Sequence, residues 1–183
     1  MAALGSLGEA SRLRGKFDKA IETLEASLKI TQDINLSGYR SSVLNSLGNA
    51  YFSQAQLNEQ RAKSANFRNA DTKADDFIQE ATSDYKKALN YFNNSLELTR
   101  TQNDSLGQMQ ALLNLIQLYY RPKDSKLPDS AKEAEQKVQE SLVLLEMLPN
   151  SQKKVYASID LAELEQPWLT DKSGKQKAQA QCK

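Results

Sequence analysis

The sequence predicts an all-α fold, an α-α superhelix or solenoid of about three and a half stacked helical hairpins, with the second hairpin extended. Three observations carry this. Only 4 Pro and 7 Gly interrupt 183 residues, which suits long helices and leaves little for a turn-rich β fold. Small and large apolar residues recur at helical spacing. Two short patterns also alternate along the chain at a fixed offset.

The first pattern opens with Leu4, Leu7 and Gly8. It returns as Leu44, Leu47, Gly48 and Tyr51, then as Leu112, Leu115, Ile116 and Tyr119, and more weakly as Leu161 and Ala162. The second reads Ala20-x3-Leu24-x2-Ser27-Leu28, then Ala88-x3-Phe92-x2-Ser95-Leu96, then Ala134-x3-Val138-x2-Ser141-Leu142. From Leu28 to Leu47, Leu96 to Leu115 and Leu142 to Leu161 the offset is 19 residues each time. A constant offset means a turn of defined length between units. Within each pattern the residues fall on one stripe of a helix, small ones admitting a neighbouring axis and large ones filling the space beside them.

In chain order, the spacing predicts helix 2–14 paired with 17–33, 39–69 with 72–101, 105–120 with 129–147, and 151–166 with a final partial segment. Pro122 and Pro128 bracket the loop of the third pair. The chain reads as one array over 1–183, with repeats at about 1–34, 38–102 and 105–148 and a partial one at 151–183. Leu7 to Leu47 is 40 residues, Leu47 to Leu115 is 68 and Leu115 to Leu161 is 46. Against a period of 40, the second repeat therefore carries 28 extra residues and the third 6. The larger insertion, 58–84, contains neither Pro nor Gly. Ala74, Phe77, Ile78, Ala81 and Tyr85 keep helical spacing through it, so it predicts a longer helical hairpin turning near Asn69–Lys73 with Asp71 as N-cap.

Leu-Gly-x2-Tyr followed by Ala-x3-Phe resembles the tetratricopeptide repeat, whose pattern is W-x2-L-G-x2-Y, then A-x3-F and a later Pro. Leu4, Leu44 and Leu112 stand where that family has Trp, and the closing Pro is missing from repeats one and two. The 40-residue period is similar to the variant in kinesin-light-chain-type arrays. The resemblance implies a non-enzymatic protein-interaction module. Arrays of this kind also resemble those preceding the caspase-like CHAT peptidase domain of bacterial proteins. The alternative expectation is thus a regulatory or sensor segment cut from a larger enzyme. The core residues of repeat one start almost at once, and 171–183 look like an unfinished helix, which supports that expectation and leaves room for self-association.

Composition removes other classes. Lys plus Arg is 24 and Asp plus Glu is 23, a net charge of +1, which gives no electrostatic case for nucleic acid or a membrane surface. No histidine is present, so Ser-His-Asp and Cys-His catalysis and most zinc sites are excluded. The single cysteine, Cys182, cannot form an internal disulfide. Asp75, Asp76 and Glu80 fall in the first turns of a helix, where acids complement the macrodipole, and are read as structural. Lys172, Lys175, Lys177 and Lys183 form a solvated tail, and Trp168 is expected to pack on the last hairpin. No catalytic residue, metal site or cofactor is expected. With no leader of basic and apolar character, the expected location is cytoplasmic.

In a tetratricopeptide superhelix the first helix of each repeat faces the concave side. The positions turned away from the Leu-Gly-Tyr stripe are Asn45, Asn49 and Phe52 in repeat two, and Gln110, Leu113, Gln117 and Tyr120 in repeat three. Amide side chains each carry a donor and an acceptor and can pair with the backbone of an extended peptide. Phe52, Leu113 and Tyr120 would add apolar contact. Chaperone-binding members of the family clamp terminal carboxylates with cations, but Asn45, Ser46, Asn49, Gln110 and Asn114 supply none. The expected partner is an extended peptide or protein segment.

Overall fold

The structure is a computed structural model and describes residues 2–33, 37–68, 70–120 and 130–164. Pro122, Pro128, Trp168, Cys182 and the lysines of the tail lie outside the described residues. Among the described residues there are seven helices and no strand. They are α1 (Ala2–Leu13), α2 (Phe17–Asp33), α3 (Ser37–Phe67), α4 (Asp71–Thr101), α5 (Ser105–Tyr119), α6 (Ser130–Met147) and α7 (152–164). From α1 to α6 each helix packs on the next in sequence, and the first helices α1, α3 and α5 also touch in succession. The architecture is an all-α array of stacked hairpins.

Turn chemistry sets the stack. Gly15 ends α1 at φ 71°, with its N–H donating to Arg12 O (2.9 Å) and Lys16 N–H donating to Ser11 O (2.9 Å). That pair of bonds is a Schellman motif, and it needs a residue tolerant of positive φ. The same motif ends α4 with Asn103 at φ 53°: Asn103 N–H donates to Arg100 O (3.1 Å) and Asp104 N–H to Thr99 O (2.9 Å). Asp104 then caps α5, its carboxylate accepting from Gly107 N–H at 3.0 Å. Three residues separate α2 from α3 and α4 from α5, and four separate α6 from α7, which is the physical content of the constant offset.

The core runs without a break from Ala20 to Leu161. Ala20, Ala88 and Ala134 are completely buried, and Leu24, Phe92 and Val138 fill the space a turn away. Three pattern residues depart from the expectation, exposed Ala162 among them. Leu7 is 48 % exposed and Leu142 38 % exposed. Among the described residues α1 meets only α2 and α3, so the outer side of the first hairpin has no neighbour to bury Leu7.

The second hairpin is the long one. Both α3 and α4 have 31 residues, about 46 Å each, against 12 to 18 residues in the helices α1, α2, α5 and α6. Their distal halves pair through small residues, Ala62 and Ala65 against Ala74 and Ala81, all buried. The cap differs from the sequence reading. Ala70, not Asp71, occupies the N-cap of α4, and no side chain caps it. Asp71 is the first helical residue, where its charge still complements the helix dipole.

Candidate functional site

The helices α3 and α5 are buried on more than one side because each is flanked by a hairpin before it and another after it. Residues 111–116 of α5 are buried without a break. Near the N-terminal turns of these helices, α3, α5 and α7 together border a cleft of about 410 Å³. Ser41, Ser95, Thr99, Met109 and Leu113 form its buried floor. Ser42, Asn45, Leu106, Gln110 and Tyr156 form its walls, with Asp104, Lys153 and Asp160 at the edges.

The floor is tied together. Ser95 Oγ donates to Ser41 O across the α4–α3 contact at 2.9 Å, fully buried. Thr99 Oγ1 donates back to Ser95 O (3.0 Å) and Leu96 O (2.9 Å). Above it runs an amide ladder. Gln110 Nε2 donates to Asn114 Oδ1 (3.4 Å), and Asn114 Nδ2 donates to Asn45 Oδ1 (3.0 Å). Asn114 is buried and spends itself linking α5 to α3. The ladder leaves both N–H groups of Asn45 Nδ2 and the Gln110 Oε1 carbonyl unspent.

Of the residues read from the sequence, Asn45 and Gln110 present surface in this cleft. Leu113 reaches it only from the buried floor, being 6 % exposed and part of the core rather than the apolar contact expected of it. Asn49 and Tyr120 are half-buried and Gln117 is exposed, but none of the three borders it. Phe52 is corrected. It is 7 % exposed and packs on Tyr85, with ring centroids 5.7 Å apart, so it belongs to the core and offers a partner no surface. The reason is local: α4 covers the side of α3 that a single-stripe reading assigns to solvent.

Sequence reasoning missed the α7 wall. The signal was present, because Tyr156 follows Gln110 by 46 residues and Gln110 follows Ser42 by 68, the same steps that relate the central leucines. Tyr156 is 56 % exposed, and its hydroxyl accepts from Gln152 Nε2 at 3.0 Å.

A second polar cluster lies between α2, α3 and α4. The Tyr51 ring stacks on Tyr91 (centroids 5.6 Å apart), Lys87 Nζ sits 4.9 Å over the Tyr51 ring, and Tyr51 O–H donates to Glu25 at 3.2 Å. Burial, reinforced by Glu25 and Tyr91, pushes the Tyr51 hydroxyl well above the usual tyrosine range. Burial also raises the Asp84 carboxyl, and the Lys87 ammonium at 3.5 Å offsets that only in part. These groups brace the hairpin. Among the described residues no set of three acidic, cysteine or histidine side chains could hold a metal ion, and Asp75, Asp76 and Glu80 are simply exposed.

Residues 3–36, the first hairpin, match the family model of the tetratricopeptide repeat. No curated protein matches the chain. That match and the all-helical array support a repeat protein of the tetratricopeptide type, a class whose members generally mediate protein–protein interaction and are typically non-catalytic scaffolds. Among the described residues no helix is long and apolar enough to cross a membrane.

Proposed function

We propose that this chain is a protein-interaction module whose cleft between α3, α5 and α7 takes an extended segment of a partner protein. The observation that carries the reading is the Gln110–Asn114–Asn45 ladder. It leaves the Asn45 amide N–H groups and the Gln110 carbonyl unspent in a cleft whose apolar wall is Leu106 and Tyr156. An extended backbone offers the complementary acceptor and donor at every residue, whatever its side chains. The buried Asn114 fixes the ladder beforehand, which lowers the ordering cost of binding.

The acidic edge groups Asp104 and Asp160 and the single Lys153 make a terminal-carboxylate clamp a poor fit. An internal segment with a modest apolar side chain fits better. The kinesin-light-chain-like variant, the cytoplasmic location and the setting beside a caspase-like peptidase rest on the sequence resemblance and composition alone.

The test is selection of peptides from a displayed random library on the wild-type protein, followed by anisotropy titration of the enriched sequences. Asn45→Ala and Gln110→Ala are expected to weaken binding about five- to tenfold each, the loss of one or two hydrogen bonds. Unchanged affinity in both variants, with helicity retained, contradicts the reading.

A further inference from the structure

The cleft leaves the long hairpin unexplained. Where α3 and α4 run past the first hairpin, a face of α3 that would otherwise be covered is open. Two concavities meet there and share Leu57 and Arg61. One, of about 560 Å³, lies along the distal hairpin, and the other, of about 320 Å³, lies between the hairpin and the α1–α2 turn. Together they form one trough.

The trough is cationic. Lys16 and Lys19 stand on the α1–α2 turn side, and Arg61, Arg68 and Lys73 on the hairpin side. All five are exposed, and none lies within 4.0 Å of a described carboxylate. Asp18 is the single carboxylate among the lining residues, and it already accepts from Gln54 Nε2 at 2.8 Å. Arg61 is held in place, its guanidinium donating to Asn58 Oδ1 (3.2 Å) and lying 5.9 Å over the Phe77 ring. Phe77 and Leu57 are half-buried and give the trough an apolar strip. Like charges gathered without counter-ions repel one another, and an anionic partner relieves that repulsion.

We propose that this trough is a second docking site, independent of the cleft, for an acidic segment of a partner protein that carries an apolar side chain for the Phe77–Leu57 strip. The chain's own charge pattern selects a short peptide over nucleic acid. Past Asp18 and Gln54 the surface turns acidic, with Glu22, Glu25, Glu80 and Asp84 around the next concavity. From Gln54 to Phe67 along α3 is about 20 Å of favourable surface. A phosphate backbone, with a charge about every 1.7 Å of duplex, would run straight into that acidic region. An acidic stretch of a few residues ends before it.

The experiment is fluorescence-anisotropy titration of the full chain with a labelled peptide of glutamates interrupted by one phenylalanine. Saturable binding is expected. The pair Arg68→Glu with Lys73→Glu, and separately the pair Lys16→Glu with Lys19→Glu, should each weaken it roughly tenfold or more, because both walls hold the same ligand. The pair Lys29→Glu with Lys132→Glu, which changes net charge equally but lies outside the trough, should leave it near wild type. Replacing the peptide's phenylalanine with serine should weaken binding several-fold. Absence of binding, equal weakening by all three pairs, indifference to the phenylalanine, or equally tight and competing binding of duplex DNA each overturns the proposal. None of these substitutions touches the α3–α5–α7 cleft, so a failure here is distinct from a failure there.

Discussion

A β-carbon built on Gly48 would lie 2.3 Å from Cε1 of Phe92, closer than two carbons can approach. Gly8 and Leu24 repeat the relationship in the first hairpin, at 2.5 Å to the leucine Cγ. The two contacts are the physical meaning of the Leu-Gly and Ala-x3-Phe patterns: a helix without a side chain at one point admits the large residue of its partner.

Gly48→Ala is therefore expected to destabilise the fold. Overpacking costs about 1–3 kcal/mol, and improved helix propensity returns about 1 kcal/mol, leaving a net loss of up to about 2 kcal/mol in urea denaturation. Phe92→Ala costs about 3–5 kcal/mol by itself. In the Phe92→Ala background, Gly48→Ala should change sign and become stabilising. Additive losses in the double-mutant cycle would contradict the contact.

The serines of the second pattern separate into two kinds. Ser95 Oγ bridges α4 to α3, whereas buried Ser27 Oγ has no hydrogen-bond partner among the described residues. Ser95→Ala should cost about 1 kcal/mol, the loss of one buried hydrogen bond to a carbonyl that keeps its place in the α3 ladder. Ser27→Ala should be neutral or stabilising, because it removes an unsatisfied buried hydroxyl. Equal effects in chemical denaturation would refute the distinction.

Asp84 gives a pH dependence with a definite sign. Burial raises its folded-state pKa above the ordinary 3.8, so the folded protein holds this proton to a higher pH than the unfolded chain does. Its contribution is fully present below the unfolded value and is lost as pH rises through the raised folded one. Asp84→Asn removes that decline. Relative to wild type, the variant should gain stability on going from about pH 4 to pH 7. A difference that stays constant with pH would show that Asp84 is not responsible.

The long hairpin predicts a protection pattern. Ala62, Ala65, Ala74 and Ala81 bury each other along the distal halves of α3 and α4, so backbone amides over 62–66 and 74–82 should exchange slowly. Complete exchange there at the earliest time point would rule out a packed hairpin.

Helix extents and the small-to-large contacts were legible because Gly48, Ala88 and Phe92 recur at helical spacing and the turns between units keep their length. The surface was less legible. A single-stripe reading treats the far side of α3 as open, but Phe52 is packed against Tyr85 on α4, so an aromatic assigned to a ligand went to the core. Asn114 was read as a surface amide, and its burial is visible only once α3 and α5 are placed side by side. Tyr156 could have been found by carrying the repeat step one unit further. The trough escaped because its charges come from the α1–α2 turn and both long helices, which no local pattern unites.

The most direct test of the cleft reading is site-specific photo-crosslinking with a library-selected peptide. A photoreactive phenylalanine is placed in turn at Gln110, at Tyr156 and, as a control, at exposed Val143 outside the cleft. Crosslinks from Gln110 and Tyr156 but not from Val143 are the predicted result. Crosslinks from Val143 alone, or equally from all three positions, would contradict it.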